Sequence, residues 1–141
     1  VWDADRQVLW ALGFDELQCY ELQDWQSDTP SMKKTAVYRL PDPSGHDLQA
    51  VPGSDDLVVT SGKHVYLFDR SALAFRLHPE LADRVNMKSV CIHPKTGQTV
   101  FVQATESWWS DQFGLLSPAD TVRLPGERLY KARWLATETA E

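Results

Sequence analysis

The chain has 141 residues, a formal charge of −6 at pH 7 and a pI near 5.1. Its lysines and arginines are scattered along the sequence, which argues against a nucleic-acid partner because phosphate binding needs a basic face. No apolar run reaches the ~18 residues needed to cross a bilayer, so we expect no membrane span. A hydrophobic content of 43% fits one folded domain.

A strand-turn-strand pattern rich in aromatic and β-branched residues occurs three times along the chain. The first copy has predicted strands at residues 1–3, 8–13, 16–22 and 36–40, with a polar loop at 24–34. The second copy has predicted strands at 46–51, 55–60, 64–69 and 74–78. The third copy has predicted strands near 88–92, 99–104, 112–116 and 121–124. Each copy therefore reads as four consecutive short strands.

The spacing of the copies indicates a particular all-β architecture. Second strands begin near positions 8, 57 and 99, a period within the ~40–50 residues of a four-stranded propeller blade. No 10-residue window carries a sustained helical stripe. The sequence thus predicts a β-propeller with about three four-stranded antiparallel blades, at 1–41, 45–80 and 86–125. A β-sandwich is the weaker alternative, since it would not require a repeat.

Residues 128–135 are predicted to form a closing strand after the third blade, so that residues 1–141 make one partial propeller domain. Propellers have ~4–8 blades, and three cannot close a ring alone. We expect the remaining blades to come from a missing N-terminal half of the same protein or from a second copy. A first strand that begins at Val1 favours the former. It also leaves localisation open, because no export signal can be judged from such a start.

Cys19 and Cys91 fall at inward-facing positions of different copies and are expected to be small buried hydrophobes. A disulfide between them would need Cα atoms within ~7 Å, which the sequence leaves open. Neither cysteine lies in a CxxC pair or a histidine-rich cluster. We therefore predict no metal site and no cofactor.

Several segments together resemble a known family over nearly the whole chain. They are Val1–Asp3, Arg6–Gly13, Glu16–Leu17, Gly45–Leu48, Lys88–Val90, His93–Pro94, Thr96–Gly97, Trp108–Asp111 and Tyr130–Trp134. In this order they resemble the C-terminal half of a family of six-bladed-propeller-like proteins from bacteria and fungi. That resemblance implies the propeller fold, and it implies a preceding His-Gly pair that this chain lacks. The family's biochemical role is unassigned, so the resemblance implies no activity.

Strand direction predicts which residues meet at one end of the blades. Aligning Pro52 with Pro94 places His46, with its neighbour Asp47, and Lys88 at equivalent positions of successive blades. The loop containing Glu106, Trp109 and Asp111 is expected at the same mouth of the channel. Converging cationic donors suit an anion. The alternative is structural: His46 bonds a backbone carbonyl and Lys88 pairs with Asp47.

Two further groups could extend this mouth. Of the adjacent Trp108 and Trp109, one ring can be buried and the other presented to a sugar, beside Asp111 and Glu106. Both rings could instead fill a gap between blades. Lys131 and Arg133 alternate on the predicted closing strand and would add positive charge, unless they lie on a solvated edge.

The sequence therefore predicts a ligand-binding propeller with an anionic carbohydrate as its ligand. The predicted ligand-binding residues are His46, Asp47, Lys88, Glu106, Trp109, Asp111, Lys131 and Arg133. A carbohydrate-active lyase or hydrolase at the same mouth is one alternative, and a protein-interaction scaffold is another. Whether the protein is an enzyme is left open, because no nucleophile elbow, phosphate loop or HExxH motif occurs.

Overall fold

A computed structural model describes residues 1–135 of the chain. This part is all-β, with twelve strands in three separate four-stranded antiparallel sheets and no helix. Within each sheet the strands follow one another in sequence order. Accordingly, no helix capable of crossing a membrane occurs in residues 1–135.

The three sheets correspond to the three copies of the sequence pattern. The first contains β1 (Trp2–Asp3), β2 (Val8–Leu12), β3 (Glu16–Gln23) and β4 (Ser31–Arg39). The second contains β5 (Asp47–Ala50), β6 (Asp56–Thr60), β7 (Val65–Asp69) and β8 (Ala74–Leu77). The third contains β9 (Met87–Ile92), β10 (Thr99–Gln103), β11 (Gln112–Leu116) and β12 (Asp120–Arg123). The repeat therefore predicted all twelve strands.

The last strand of each sheet is its most exposed strand. In the third sheet, β9 is almost wholly buried whereas β12 is mostly exposed. In the second sheet, β6 and β7 are buried and β8 is exposed. Strands β5 and β9 lie close to each other although they belong to different sheets. The first strands of the second and third sheets thus converge.

Neighbouring sheets pack face to face through two apolar clusters. Trp10, Tyr38 and Phe68 pack their rings together between the first and second sheets, with Trp10 and Phe68 centroids 5.4 Å apart. Val58 and Leu67 of the second sheet pack with Val90 and Phe101 of the third. Burying side chains of this size stabilises each interface by about 1.5–3 kcal/mol per residue.

The hairpin between β3 and β4 differs from its prediction. The polar segment predicted as a loop over 24–34 is shorter, because β3 continues to Gln23 and pairs it with Ser31 at the start of β4. A register shift between Cys19 and Tyr20 marks where this polar extension begins. A polar sequence is typical of a loop, but antiparallel strands can also pair where their residues face water, as the ends of β3 and β4 do.

The C-terminal segment, residues 128–135, also differs from its prediction. It was expected to be a strand, but it forms only one isolated bridge, between Leu129 and Ser110. Beyond that bridge, the amide of Ala132 donates to Ser89 Oγ, and the Trp134 ring contacts His93 edge-on. The segment covers the outer face of the third sheet instead of extending a ladder. Its polar side chains bind across the sheets, which fixes its path without strand pairing.

Candidate functional site

One end of the three sheets is formed by loops that are hydrogen-bonded to one another in succession. The amide of Gly45 donates to Phe14, that of Gly62 to Pro43, that of Asn86 to Gly62, and that of Ala104 to Asn86. We call this end the rim. A Cβ at Gly45 would collide with the carbonyl oxygen of Gly13, so the loops of the first and second sheets approach too closely for any other residue.

His46 and Lys88 stand side by side on the rim. His46 directly precedes β5, Lys88 is the second residue of β9, and Lys88 Nζ lies 2.9 Å from His46 Nε2. Lys88 is only 6% exposed. The structural alternative in which Lys88 pairs with Asp47 is wrong, because Lys88 Nζ contacts the imidazole of His46 instead. The imidazole Nε2 can accept from Lys88 only when that nitrogen carries no proton.

Asp47 holds the C-terminal segment against the rim. Its carboxylate, which is 4% exposed, accepts from Lys131 Nζ at 3.0 Å and from the Arg133 guanidinium. Its second oxygen accepts from the backbone amide of Val90 at 3.1 Å. Lys131 Nζ also donates to the carbonyl oxygen of His46 at 3.1 Å. We call His46, Asp47, Lys88, Lys131 and Arg133 the rim cluster.

The environment of the rim cluster disfavours the protonated forms of Lys88 and His46. Burial lowers the pKa of Lys88. Burial lowers the pKa of His46 as well, and the charges of Lys88 and Lys131 lower it further, against a smaller opposing effect of Asp47. An anion placed here would act in the opposite direction and raise both pKa values.

The other three predicted residues line a pocket apart from the rim cluster. Glu106, Trp109 and Asp111 border an open pocket of about 650 Å³ beside the loop after β10. None of the rim cluster lines it. Arg123 Nε donates to Asp111 at 2.9 Å, and the Arg128 guanidinium lies 5.2 Å from the centre of the Trp109 ring. We call this cavity the tryptophan pocket; Trp108, in contrast, is 51% exposed.

A second polar network on the rim was missed by sequence reasoning. The Asp42 carboxylate accepts from the Ser61 hydroxyl, from the Tyr66 hydroxyl at 2.5 Å and from His64 Nδ1 at 3.0 Å. Burial opposes ionisation of Asp42, but these hydrogen bonds outweigh it and lower its pKa. Burial and the Asp42 charge together raise the pKa of Tyr66. Asp42, in Pro-Asp-Pro, looks like an ordinary turn residue, and no spacing in the sequence links it to Tyr66.

The remaining observations concern metals and cysteines. Within residues 1–135, no group of three or more His, Cys, Asp or Glu side chains comes together as a metal site would require. Cys19 and Cys91 are both buried and free. They lie in different sheets, on β3 and β9. Their burial agrees with their interpretation as small hydrophobes.

Comparison with known proteins identifies the family of the chain. No curated protein and no solved structure matches the chain. A family model described as "Family of unknown function (DUF6528)" matches residues 1–141. The chain therefore belongs to this family of unknown function.

Proposed function

We propose that this protein binds an anionic ligand, with uronate-type carbohydrates as the ligand class, at the rim cluster. The observation that carries the proposal is the environment of Lys88. A buried lysine normally has a carboxylate partner, but within residues 1–135 no carboxylate lies within ion-pair distance of Lys88.

Charge counting at the rim cluster supports an anion. Lys131 and Arg133 supply two cationic groups against the single carboxylate of Asp47, and Lys88 adds a third positive charge when a bound anion raises its pKa. This positive excess lies in a chain whose overall charge is −6. A ligand carboxylate would supply the missing negative charge through charge-assisted hydrogen bonds.

A hydroxyl close to the cluster also supports polar ligand contacts. Thr60 is fully buried, and its Oγ1 has no hydrogen-bond partner. Thr60 is the cross-strand partner of Asp47, so the two side chains share one face of the sheet. A buried hydroxyl without a partner costs about 1–3 kcal/mol, which a hydroxylated ligand could offset.

Binding is favoured over the hydrolase alternative. A glycosidase would use two carboxylates such as Glu106 and Asp111, but Asp111 is engaged by Arg123. Both carboxylates border the tryptophan pocket and not the rim cluster. The scaffold alternative has less support, since no described residue points to a particular protein partner.

We further propose that the three sheets are blades of a propeller that further blades complete. The outer face of the first sheet carries Trp2, Met32 and Val37, each at least 44% exposed. A fourth blade could cover such a face. The six-bladed ring implied by the family resemblance would need three more blades, from another part of the same protein or from a second copy.

The test is calorimetric titration of the protein with D-glucuronate and D-galacturonate. Lys88→Met removes the amino group at similar volume and is expected to weaken binding at least about tenfold, or about 1.4 kcal/mol. Lys95→Met, at an exposed turn, is the matched control and should bind as the unmodified protein does. Circular dichroism checks that both variants fold.

Any of three results would overturn the proposal. One is equal uronate affinity in folded Lys88→Met and in the unmodified protein. Another is an unmodified protein that binds neither uronate at concentrations of about 1 mM. The third is an unmodified protein that binds D-glucose as well as it binds the uronates.

A further inference from the structure

Lys88 differs from the other lysines of the chain. The sequence contains six lysines, and the other five, Lys33, Lys34, Lys63, Lys95 and Lys131, are exposed. Lysine usually keeps its ammonium group in water by extending its flexible side chain. Lys88 instead lies between Met87 and Ser89, both fully buried, in the most buried strand of the third sheet.

The surroundings of Lys88 favour an uncharged amine. Its side-chain partner is the His46 imidazole, a proton acceptor at 2.9 Å. Lys131 Nζ lies 3.1 Å from the His46 carbonyl oxygen, which places a positive charge next to His46, the partner of Lys88. Removal from water is one of the conditions that turn a lysine into a nucleophile.

We propose that Lys88 forms a reversible imine with the aldehyde or ketone group of an oxo-acid. The inference rests on the proposed function, because the cationic groups of Lys131 and Arg133 would hold the carboxylate of that oxo-acid. The ligand class narrows accordingly, from anionic carbohydrates to those that present a carbonyl carbon to Lys88.

The chemistry needs only groups already at the rim. The Lys88 nitrogen lone pair attacks the carbonyl carbon, and the C=O π electrons move to oxygen. His46 Nε2 takes one proton from the nitrogen and delivers it to the alkoxide oxygen, which gives the neutral carbinolamine. It then relays the second proton of the nitrogen to the carbinolamine hydroxyl, which becomes the leaving water. Water leaves, the C=N bond forms, and no oxidant or reductant is consumed. Hydrolysis of the imine follows the same steps in reverse.

The experiment traps the imine and maps it. The protein is incubated with glyoxylate and sodium cyanoborohydride, and labelled lysines are identified by peptide mass spectrometry. The five exposed lysines are internal references in every sample. We expect Lys88 to be labelled several-fold faster than any of them, although it is the least accessible. His46→Gln should slow labelling of Lys88 without changing labelling of the exposed lysines.

A parallel sample with acetaldehyde separates this inference from the proposed function. Preference of Lys88 for glyoxylate over acetaldehyde, relative to the exposed lysines, supports both. If Lys88 reacts equally with the two, imine formation stands but carboxylate recognition is overturned. If Lys88 is labelled no faster than the exposed lysines while Lys88→Met still weakens uronate binding, imine formation is overturned and the proposed function stands.

Discussion

Gly114 is the position where a single methyl group should loosen the third sheet most. It is the cross-strand partner of Phe101, and a Cβ built there would lie 2.6 and 2.7 Å from the Phe101 ring atoms Cε2 and Cε1 and closer still to Cζ. The Arg84 guanidinium covers the ring, 4.9 Å from its centroid. Phe101 is 6% exposed and packs in the cluster that joins the second and third sheets. The ring therefore cannot move away without disturbing that interface.

We expect Gly114→Ala to destabilise the domain by about 3 kcal/mol, the upper end of the usual cost of overpacking. In a Phe101→Ala background, which alone costs about 3–5 kcal/mol, the collision is absent. There Gly114→Ala should be neutral or should stabilise by about 0.5–1 kcal/mol, because glycine weakens a strand. The two positions should thus be coupled by about 3 kcal/mol.

Urea unfolding monitored by tryptophan fluorescence measures the free energy of unfolding of the unmodified protein and of the three variants. A loss of 3 kcal/mol corresponds to a melting temperature about 10 °C lower. Gly13→Ala is the matched control, since its nearest neighbour would be the Glu16 carbonyl oxygen at an ordinary 3.5 Å. A Gly114→Ala variant within about 0.5 kcal/mol of the unmodified protein in both backgrounds would refute the packing argument.

Three further outcomes follow from the polar groups. Burial lowers the pKa of His78, whose Nδ1 accepts hydrogen bonds from two backbone amides. The stability that His78 contributes should therefore be complete above its unfolded pKa of about 6.5. It should be lost as the pH falls below that value, by up to about 1.4 kcal/mol per pH unit. His78→Asn, which keeps an acceptor but does not titrate, should flatten urea stability between pH 5 and pH 6.5; an unchanged slope would contradict this assignment. Tyr66→Phe should cost about 1.5–3 kcal/mol in the same assay, because it removes a hydrogen bond to the Asp42 carboxylate, and a loss under about 0.5 kcal/mol would show that this bond contributes little. Asp47→Asn should strengthen uronate binding measured by calorimetry, because it removes the carboxylate that competes for Lys131 and Arg133; weaker binding in a folded variant would place Asp47 among the ligand contacts instead.

Local sequence pattern predicted the strands because each sheet is built from neighbours in sequence. Second strands were expected to begin near 8, 57 and 99, and they begin at Val8, Asp56 and Thr99. Aligning the turns around Pro52 and Pro94 also predicted that His46 and Lys88 occupy equivalent places. Their 2.9 Å contact depends on how closely two sheets pack, which no strand pattern encodes.

Features that depend on tertiary paths were not predictable in the same way. The alternation of Lys131 and Arg133 resembles a strand, but both side chains reach the buried carboxylate of Asp47, more than 80 positions earlier. The predicted mouth also divides in two. Glu106, Trp109 and Asp111 line the tryptophan pocket because the loop after β10 bridges to Leu129 and turns toward Arg123 and Arg128.

The most direct test of anion binding at the rim cluster is the pKa of His46, followed by NMR of its imidazole in the presence and absence of D-glucuronate. Without ligand the pKa should lie below 6.5, since burial, Lys88 and Lys131 all disfavour the charged form. Saturating D-glucuronate should raise it, and D-glucose at the same concentration should leave it unchanged. A His46 pKa that does not respond to D-glucuronate, or that responds equally to D-glucose, would contradict the account.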